Sequence, residues 1–202
     1  MSGLVLHSLT GPDDPFTGPA LDLLEELFPI EERGCRADLV EQLDQVRTLA
    51  AVDAGQVVGV VRGVAFPEQG FGWIIHIGLA DWMRGRGAGA WLLQKGIDWL
   101  AGECQNYQGT VLEVEREDLA QGPSDALVRT GRIAFFTRFG ARLVTARYTQ
   151  PPAGAGLPCV PMNLFWLPRD PSVSAPDRLV ERFYAAAFGL EESHEWVRTA
   201  VA

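Results

Sequence analysis

Residues 73–100, WIIHIGLADWMRGRGAGAWLLQKGIDWL, constrain the fold more than any other stretch of this chain. The apolar run from Trp73 to Ala80 reads as a strand. A short connection, residues 81–83, leads into Arg84-Gly85-Arg86-Gly87-Ala88-Gly89, and a helix follows. That helix carries Leu92, Leu93, Gly96, Ile97 and Leu100 on one stripe, which must pack against a sheet. The turn between strand and helix suits an anion. The first turn of a helix has four N–H groups without intrahelical partners, and the macrodipole places about half a positive charge there. Glycine lets an anion approach the backbone, because no Cβ intervenes. Arg84 and Arg86 add permanent charge and forked donors that match phosphate. The pattern predicts a site for a phosphate-bearing cofactor.

Elsewhere the chain alternates strand and helix signals. Residues 4–9 read as a first strand closed by Gly11-Pro12, and residues 19–28 as a helix broken by Pro29. Residues 37–47 predict a second short helix, with Asp38 in its first turn. Residues 48–52 and 56–66 are β-rich runs joined by Asp53-Ala54-Gly55, a hairpin signal. Residues 109–115 form the next strand, and the polar segment 116–130 reads as a long loop with room for some helix. A helix over 132–139 ends at Gly140, and a strand returns over 142–149. After the breaker-rich segment 151–158 come a strand at 162–167 and a helix capped by Ser174 and begun by Ala175-Pro176. Gly189 stops that helix, and residues 190–202 predict a last one.

The spacing Arg84-x-x-Gly87-x-Gly89, between an apolar strand and a helix, resembles the acyl-CoA signature of the GNAT acetyltransferase superfamily. Val111-Leu112-Glu113-Val114 is similar to that family's fifth strand. Ala134-Phe135-Phe136-Thr137-Arg138-Phe139-Gly140-Ala141 is similar to its later helix, A-x-F-Y-x-x-x-G-F. The likeness covers roughly residues 3–150. It implies an α/β (α+β) fold, a mixed and mostly antiparallel sheet with helices on both faces. Residues 1–150 would form the acyl-CoA-binding core, and residues 151–202 a strand–helix extension packed on the same domain.

The resemblance also implies a reaction: acetyl transfer from acetyl-CoA to a primary amine of a small molecule or peptide, by direct attack in a ternary complex and without a metal. In the family the pantetheine lies along the strand before the glycine turn. Leu79 and Ala80 would then be its backbone contacts, and Arg84, Gly85, Arg86, Gly87, Ala88 and Gly89 would hold the pyrophosphate. Phe136 falls where many members have a tyrosine that protonates the departing thiolate, and neither it nor Phe135 has a hydroxyl. Another group supplies the proton, or the thiolate leaves unprotonated, or the protein is an acyl-CoA binder or sensor without rapid turnover.

Four residues are candidates for the proton chemistry. His76 lies on the strand before the turn, and an unperturbed imidazole suits proton uptake near neutrality. Strict alternation would set it on the opposite face from Trp73, Ile75, Ile77 and Leu79; the alternative is a satisfied buried histidine. Glu113 and Glu115 share a face of the next strand, beside the splay where the acceptor would enter. Glu115 is favoured as base, against a solvated or salt-bridged role. Tyr148 is the nearest hydroxyl in sequence to the missing acid, or else an interfacial aromatic. Phe165, Trp166, Phe183 and Tyr184 read as core of the C-terminal extension, with an acceptor wall or a homodimer contact as the alternative.

Composition narrows the partners. A 202-residue chain, 47% hydrophobic and 21% charged, suits one domain or one domain with an appendage. Its formal charge of −9, from 26 acidic against 17 basic residues, argues against nucleic acid and against anionic membranes. Such a field favours a cationic acceptor, although an acidic surface also simply confers solubility. Cys35, Cys104 and Cys159 form no C-x-x-C, which fits reduced thiols, and neither a secretory signal nor an apolar span is visible. The expectation is a cytoplasmic protein.

Gly85-x-Gly87-x-x-Ala90 also satisfies the dinucleotide fingerprint, with acidic Glu113 and Glu115 a strand later. That reading would make the chain a dinucleotide-dependent oxidoreductase. It expects the first glycine to follow its strand directly, whereas residues 81–84 intervene. The acceptor has no recognisable code; loops 29–37, 67–72 and 116–131 would shape its pocket.

Overall fold

The computed structural model describes residues 3–202. A seven-stranded sheet forms its centre, from β1 (Val5–Ser8), β2 (Arg47–Asp53), β3 (Gln56–Phe66), β4 (Phe71–Leu79), β5 (Gly109–Glu115), β6 (Arg142–Gln150) and β7 (Val160–Pro168). Their order across the sheet is β1-β2-β3-β4-β5-β7-β6. Every neighbouring pair is antiparallel except β4 and β5. Those two strands are parallel because the glycine turn and helix α4 (Ala88–Glu103) carry the chain back across the sheet between them. The β2–β3 hairpin turns on Ala54 and Gly55, both at positive φ (48° and 82°), the twist a two-residue hairpin requires.

Helices cover both faces. On one side α4 and α5 (Pro123–Arg138) pack through Leu92, Leu93, Leu100 and Phe136 onto Val61, Ile74 and Leu112. Leu92, Leu93 and Leu100 of the expected stripe are fully buried. Gly96 belongs to it because a Cβ there would press Val61 at 3.0 Å. On the other side α1 (Thr17–Leu27) covers Ala50 and Val60. Beside it, α6 (Leu179–Phe188) and α7 (Glu195–Val201) cover Trp73, Val111 and Trp166. Phe165, Trp166, Phe183 and Tyr184 are thus interior residues of this chain. The sheet is not the doubly wound parallel sheet that a dinucleotide unit needs, which removes the structural basis for the oxidoreductase reading.

The structure moves several expected boundaries. α5 starts at Pro123, not at 132, because Gly122-Pro123-Ser124-Asp125 opens a helix instead of a loop. Proline occupies the first turn, and the Asp125 carboxylate accepts from the Gln121 N–H (2.9 Å) and from Arg129 one turn on (2.9 Å). α6 starts at Leu179, after Arg178 in a left-handed conformation (φ 56°), so Ser174 caps nothing. α7 starts at Glu195, where the His194 ring accepts the Trp196 N–H at 3.3 Å. Pro29 ends α1 and also opens a further short helix, α2 (Ile30–Arg33). The helix expected over 37–47 is α3 (Arg36–Glu41) followed by a 3-10 turn, Gln42–Asp44. The C-terminal segment 151–202 supplies β7, which is hydrogen-bonded on both sides within the sheet.

Candidate functional site

β4 and β5 separate partway along their length. They pair only from Phe71↔Gly109 to Ile74↔Leu112, and beyond that point Ile75–Leu79 and Glu113–Glu115 diverge. Two features cause the splay. β4 has one residue too many, since Arg62 of β3 faces His76 while Gly63 faces Ile74, and the bulge at Ile75 increases the local twist. β5 meanwhile pairs with β7 along its whole length, from Gly109↔Pro168 to Glu115↔Met162. The opening is a cavity of about 490 Å³ that passes between the strands. Leu92, Arg84, Gly89 and Phe136 line it on the α4–α5 side, and Glu32, Glu113, Gln150 and Met162 on the other.

The same bulge corrects the alternation expected for β4. Trp73 and Ile75 belong to the core beneath α6, whereas Ile77 and Leu79 pack toward α4. His76 therefore shares a side with Trp73 and Ile75, not the side opposite all four residues.

The glycine turn lies at one end of this opening. Gly85 (φ 74°) and Gly87 (φ 78°) are left-handed, and a Cβ on either would meet no atom. The dihedral, rather than crowding, demands glycine there. Gly87 is the N-cap of α4, so Ala88 and Gly89 stand in the first turn with N–H groups that the helix does not use. Ala88 is buried and Gly89 half-buried, with the Phe135 ring 3.6 Å from where its Cβ would be. Arg84 is exposed and pairs with Asp81 (2.8 Å), and Arg86 is exposed with no ion pair among the described residues. The Ala80 N–H is committed to the Val58 carbonyl at 2.9 Å, so it is not free for a ligand. Because alternate residues of a strand direct their polar groups to opposite edges, Leu79 faces the splay.

Carboxyl groups gather on the far side. Glu113 accepts hydrogen bonds from the Tyr148 hydroxyl and from Trp73 Nε1 (3.0 Å). Burial pushes its pKa up to about 7, and those two donors restrain the rise. Glu32, on α2, is raised to about 8 by burial and then by the neighbouring Glu115 charge. Glu115 itself is tied to Arg132 of α5 in an ion pair. α2 is held over the cavity by the Gln150 side-chain amide, which donates to the Glu32 carbonyl at 3.0 Å.

His76 lines the cavity but is nearly inaccessible, its ring 4.7 Å from that of Phe28. Arg62 donates to its Nδ1 (3.4 Å), and the Glu32 backbone, close to the ring, partly offsets the fall in its pKa. Burial and the Arg62 charge lower its pKa to about 3, so the imidazole stays neutral and is a weak base. Tyr148 is buried and lies outside the cavity lining, with burial raising its pKa well above that of a free phenol. The structure thus brings Glu113, Glu115 and His76 to one cavity with the turn, and sets Tyr148 behind Glu113.

Glu32 is the residue that sequence reasoning missed. Its only signal was its place in loop 29–37, since nothing local announces that α2 folds over the sheet. Among the described residues no group of three or more His, Cys, Asp or Glu side chains is arranged to hold a metal ion. No helix among them is long and apolar enough to cross a membrane.

Comparison with known proteins bears on this geometry. Residues 19–123 match the acetyltransferase (GNAT) family. No curated protein matches the sequence significantly. Among solved structures, a protein of Bacteroides thetaiotaomicron assigned to the GNAT family is similar at 24% identity, with 84% of this chain and 90% of that one covered and a TM-score of 0.63. A GNAT family acetyltransferase of Elizabethkingia anophelis, solved with acetyl-CoA bound, shares 16% identity over 83% and 99% of the chains, with a TM-score of 0.58. Arabidopsis thaliana NAA60, solved with a bisubstrate analogue, shares 13% identity over 83% and 99%, with a TM-score of 0.60.

Proposed function

The chain belongs to the acetyltransferase (GNAT) family, and from that premise we propose that it transfers the acetyl group of acetyl-CoA to a primary amine by direct attack in a ternary complex. The observation that carries this reading is the single opening between β4 and β5, with an anion-suited helix terminus at one end and Glu113 at the other. The pyrophosphate would sit on the N–H groups of Ala88 and Gly89 with Arg84 and Arg86 as counter-charge. The pantetheine would thread the splay along Leu79. Phe136 would wall the thioester end.

Glu113 is the base in this proposal, in preference to Glu115. A base works best with a pKa near the operating pH, and Glu113 has one of about 7, whereas Glu115 is engaged by Arg132. The amine nitrogen attacks the thioester carbon, its proton passes to Glu113, the C–S bond breaks and CoA leaves with the bonding pair. Thiols are far more acidic than alcohols, a cysteine thiol having a pKa of about 8.5, so a thiolate can leave without a tyrosine acid. The acidic far side suits an acceptor that arrives as an ammonium ion. Leu127 (75% exposed) and Val128 (45%) at the cavity mouth suit an apolar body attached to it.

Calorimetry with acetyl-CoA, CoA and NADPH, followed by thiol release across a panel of amines, tests the reading. Acetyl-CoA binding with amine-dependent thiol release supports it. Binding without release from any amine favours the acyl-CoA sensor that Phe136 brings to mind, and no binding retires the assignment.

A further inference from the structure

Glu113 is held by two hydrogen bonds, and both donors are fixed by the same C-terminal helix. Tyr148 packs against the rings of Tyr184 (centroids 5.1 Å apart) and Phe183 (5.9 Å). Trp73 packs edge-on against Phe183 (5.2 Å) and Phe188 (5.3 Å). Phe183, Tyr184 and Phe188 all belong to α6. Tyr184 does more than fill space. Its hydroxyl accepts the Thr149 N–H at 3.0 Å and donates to the Thr149 carbonyl at 2.9 Å. The clasp fixes the backbone of β6 one residue beyond Tyr148.

The clasp has a topological reason. β6 is the sheet's last strand, paired on one side only, and its ladder with β7 is irregular between Thr145 and Tyr148. The Tyr148 hydroxyl must therefore reach Glu113 from an edge strand of the sheet. A side-chain bond to both polar groups of Thr149 supplies the constraint that a further strand would have given.

We propose that α6 positions the reacting carboxylate: Tyr184 holds β6 so that Tyr148, together with Trp73, aims and tunes Glu113. Tyr148, Trp73 and Tyr184 are positioning residues, and of these four Glu113 alone reaches the reacting atoms. The inference rests on the assignment of Glu113 as base for its catalytic meaning, but the geometry stands without it. The other charged or titratable groups near Glu113 are Glu115 on its own strand, Glu32 on α2, His76 on β4 and Arg132 on α5, which pairs with Glu115.

The test follows the titration of Glu113 directly, by NMR of protein carrying 13C-labelled glutamate carboxyls, with Glu113→Gln identifying the signal. Tyr148→Phe removes one oxygen and keeps the ring. Since its hydroxyl stabilises the carboxylate form, the Glu113 midpoint should rise by roughly one pH unit. Tyr184→Phe, which touches Glu113 nowhere, should move the midpoint the same way by a smaller amount. The double variant should move it no further than Tyr148→Phe alone, because the second effect runs through the first. Trp73→Phe, which removes the other donor, should also raise it. An unmoved midpoint in Tyr184→Phe, or effects of the two tyrosines that simply add, would overturn the inference. The acid limb of kcat/KM should shift in step with the NMR midpoint. If the midpoint moves as expected while Glu113→Gln keeps full activity, the base assignment fails and the positioning relation remains.

Discussion

The Tyr148 hydroxyl donates a hydrogen bond to the Glu113 carboxylate across a strand that lies between them. Glu113 is on β5 and Tyr148 on β6, and β7 runs between, with Leu164 opposite Glu113 and Met162 opposite Tyr148. The phenol that the sequence offers as one candidate acid thus donates its hydrogen to a carboxylate that lines the cavity.

Activity should follow the ionisation of Glu113. Its pKa is raised to about 7, and in the proposed mechanism the carboxylate is the competent form, so kcat/KM should rise with pH through a midpoint near 7 and level off above it. Glu113→Gln should remove this limb and lower kcat/KM by about 100-fold or more. Glu115→Gln should keep the limb; its disappearance in that variant, read from pH–rate profiles, would return the base role to Glu115.

Stability should carry the opposite sign. Glu32 (about 8) and Glu113 (about 7) both lie above the ordinary glutamate value of 4.5, so the folded state binds their protons more tightly than the unfolded state. Their contribution is fully present below pH 4.5 and is lost as pH rises through 7 to 8. Glu32→Gln should therefore raise the melting temperature at pH 8.5 and leave it little changed at pH 5. At this chain length one kcal/mol corresponds to roughly 2–4 °C, which scanning calorimetry resolves.

The glycine turn should fail through its dihedral. Gly87→Ala places a Cβ at φ 78°, which costs about 1–2 kcal/mol of backbone strain without a clash. Combined with Arg84→Ala, it should weaken acetyl-CoA binding more than tenfold in calorimetry and leave the circular dichroism spectrum of the sheet intact. Unchanged affinity would move the pyrophosphate site elsewhere.

Phe136→Tyr should leave kcat nearly unchanged at pH 8, since a thiolate can depart before it takes up a proton. An acceleration approaching the roughly hundredfold worth of a general acid would show that proton delivery limits this enzyme.

Removing Arg62 should report on His76. Arg62 is buried, and among the described residues its side-chain partners are Thr48, Gln42 and His76, with no carboxylate paired to it. Arg62→Met should raise the His76 pKa from about 3, yet leave it below 6.5, because burial is the larger cause and remains. Imidazole NMR measures the change.

Much of this was readable in the chain because it is local. Residues 109–115 and 56–66 were legible as strands from their apolar pattern, and Gly85 and Gly87 from the turn they must make. The same local logic misjudged residues 123–130. Their polar side chains face solvent on a helix begun by Pro123, and a polar helix face looks like a loop when read by composition. It also misjudged β4, since a single extra residue at Ile75 reverses the sides that alternation assigns.

The sequence by itself determined the anion-suited turn, the helix stripe behind it and the absence of a hydroxyl at Phe136, since each depends on residues a few positions apart. Only the tertiary structure decided which carboxyls meet at the cavity. Glu113 meets Tyr148 from 35 positions away, and Gln150 holds the Glu32 backbone from 118 positions away, through a strand order the chain does not spell out. Their raised pKa values come from burial, and burial is a property of everything packed around a group rather than of its neighbours in sequence.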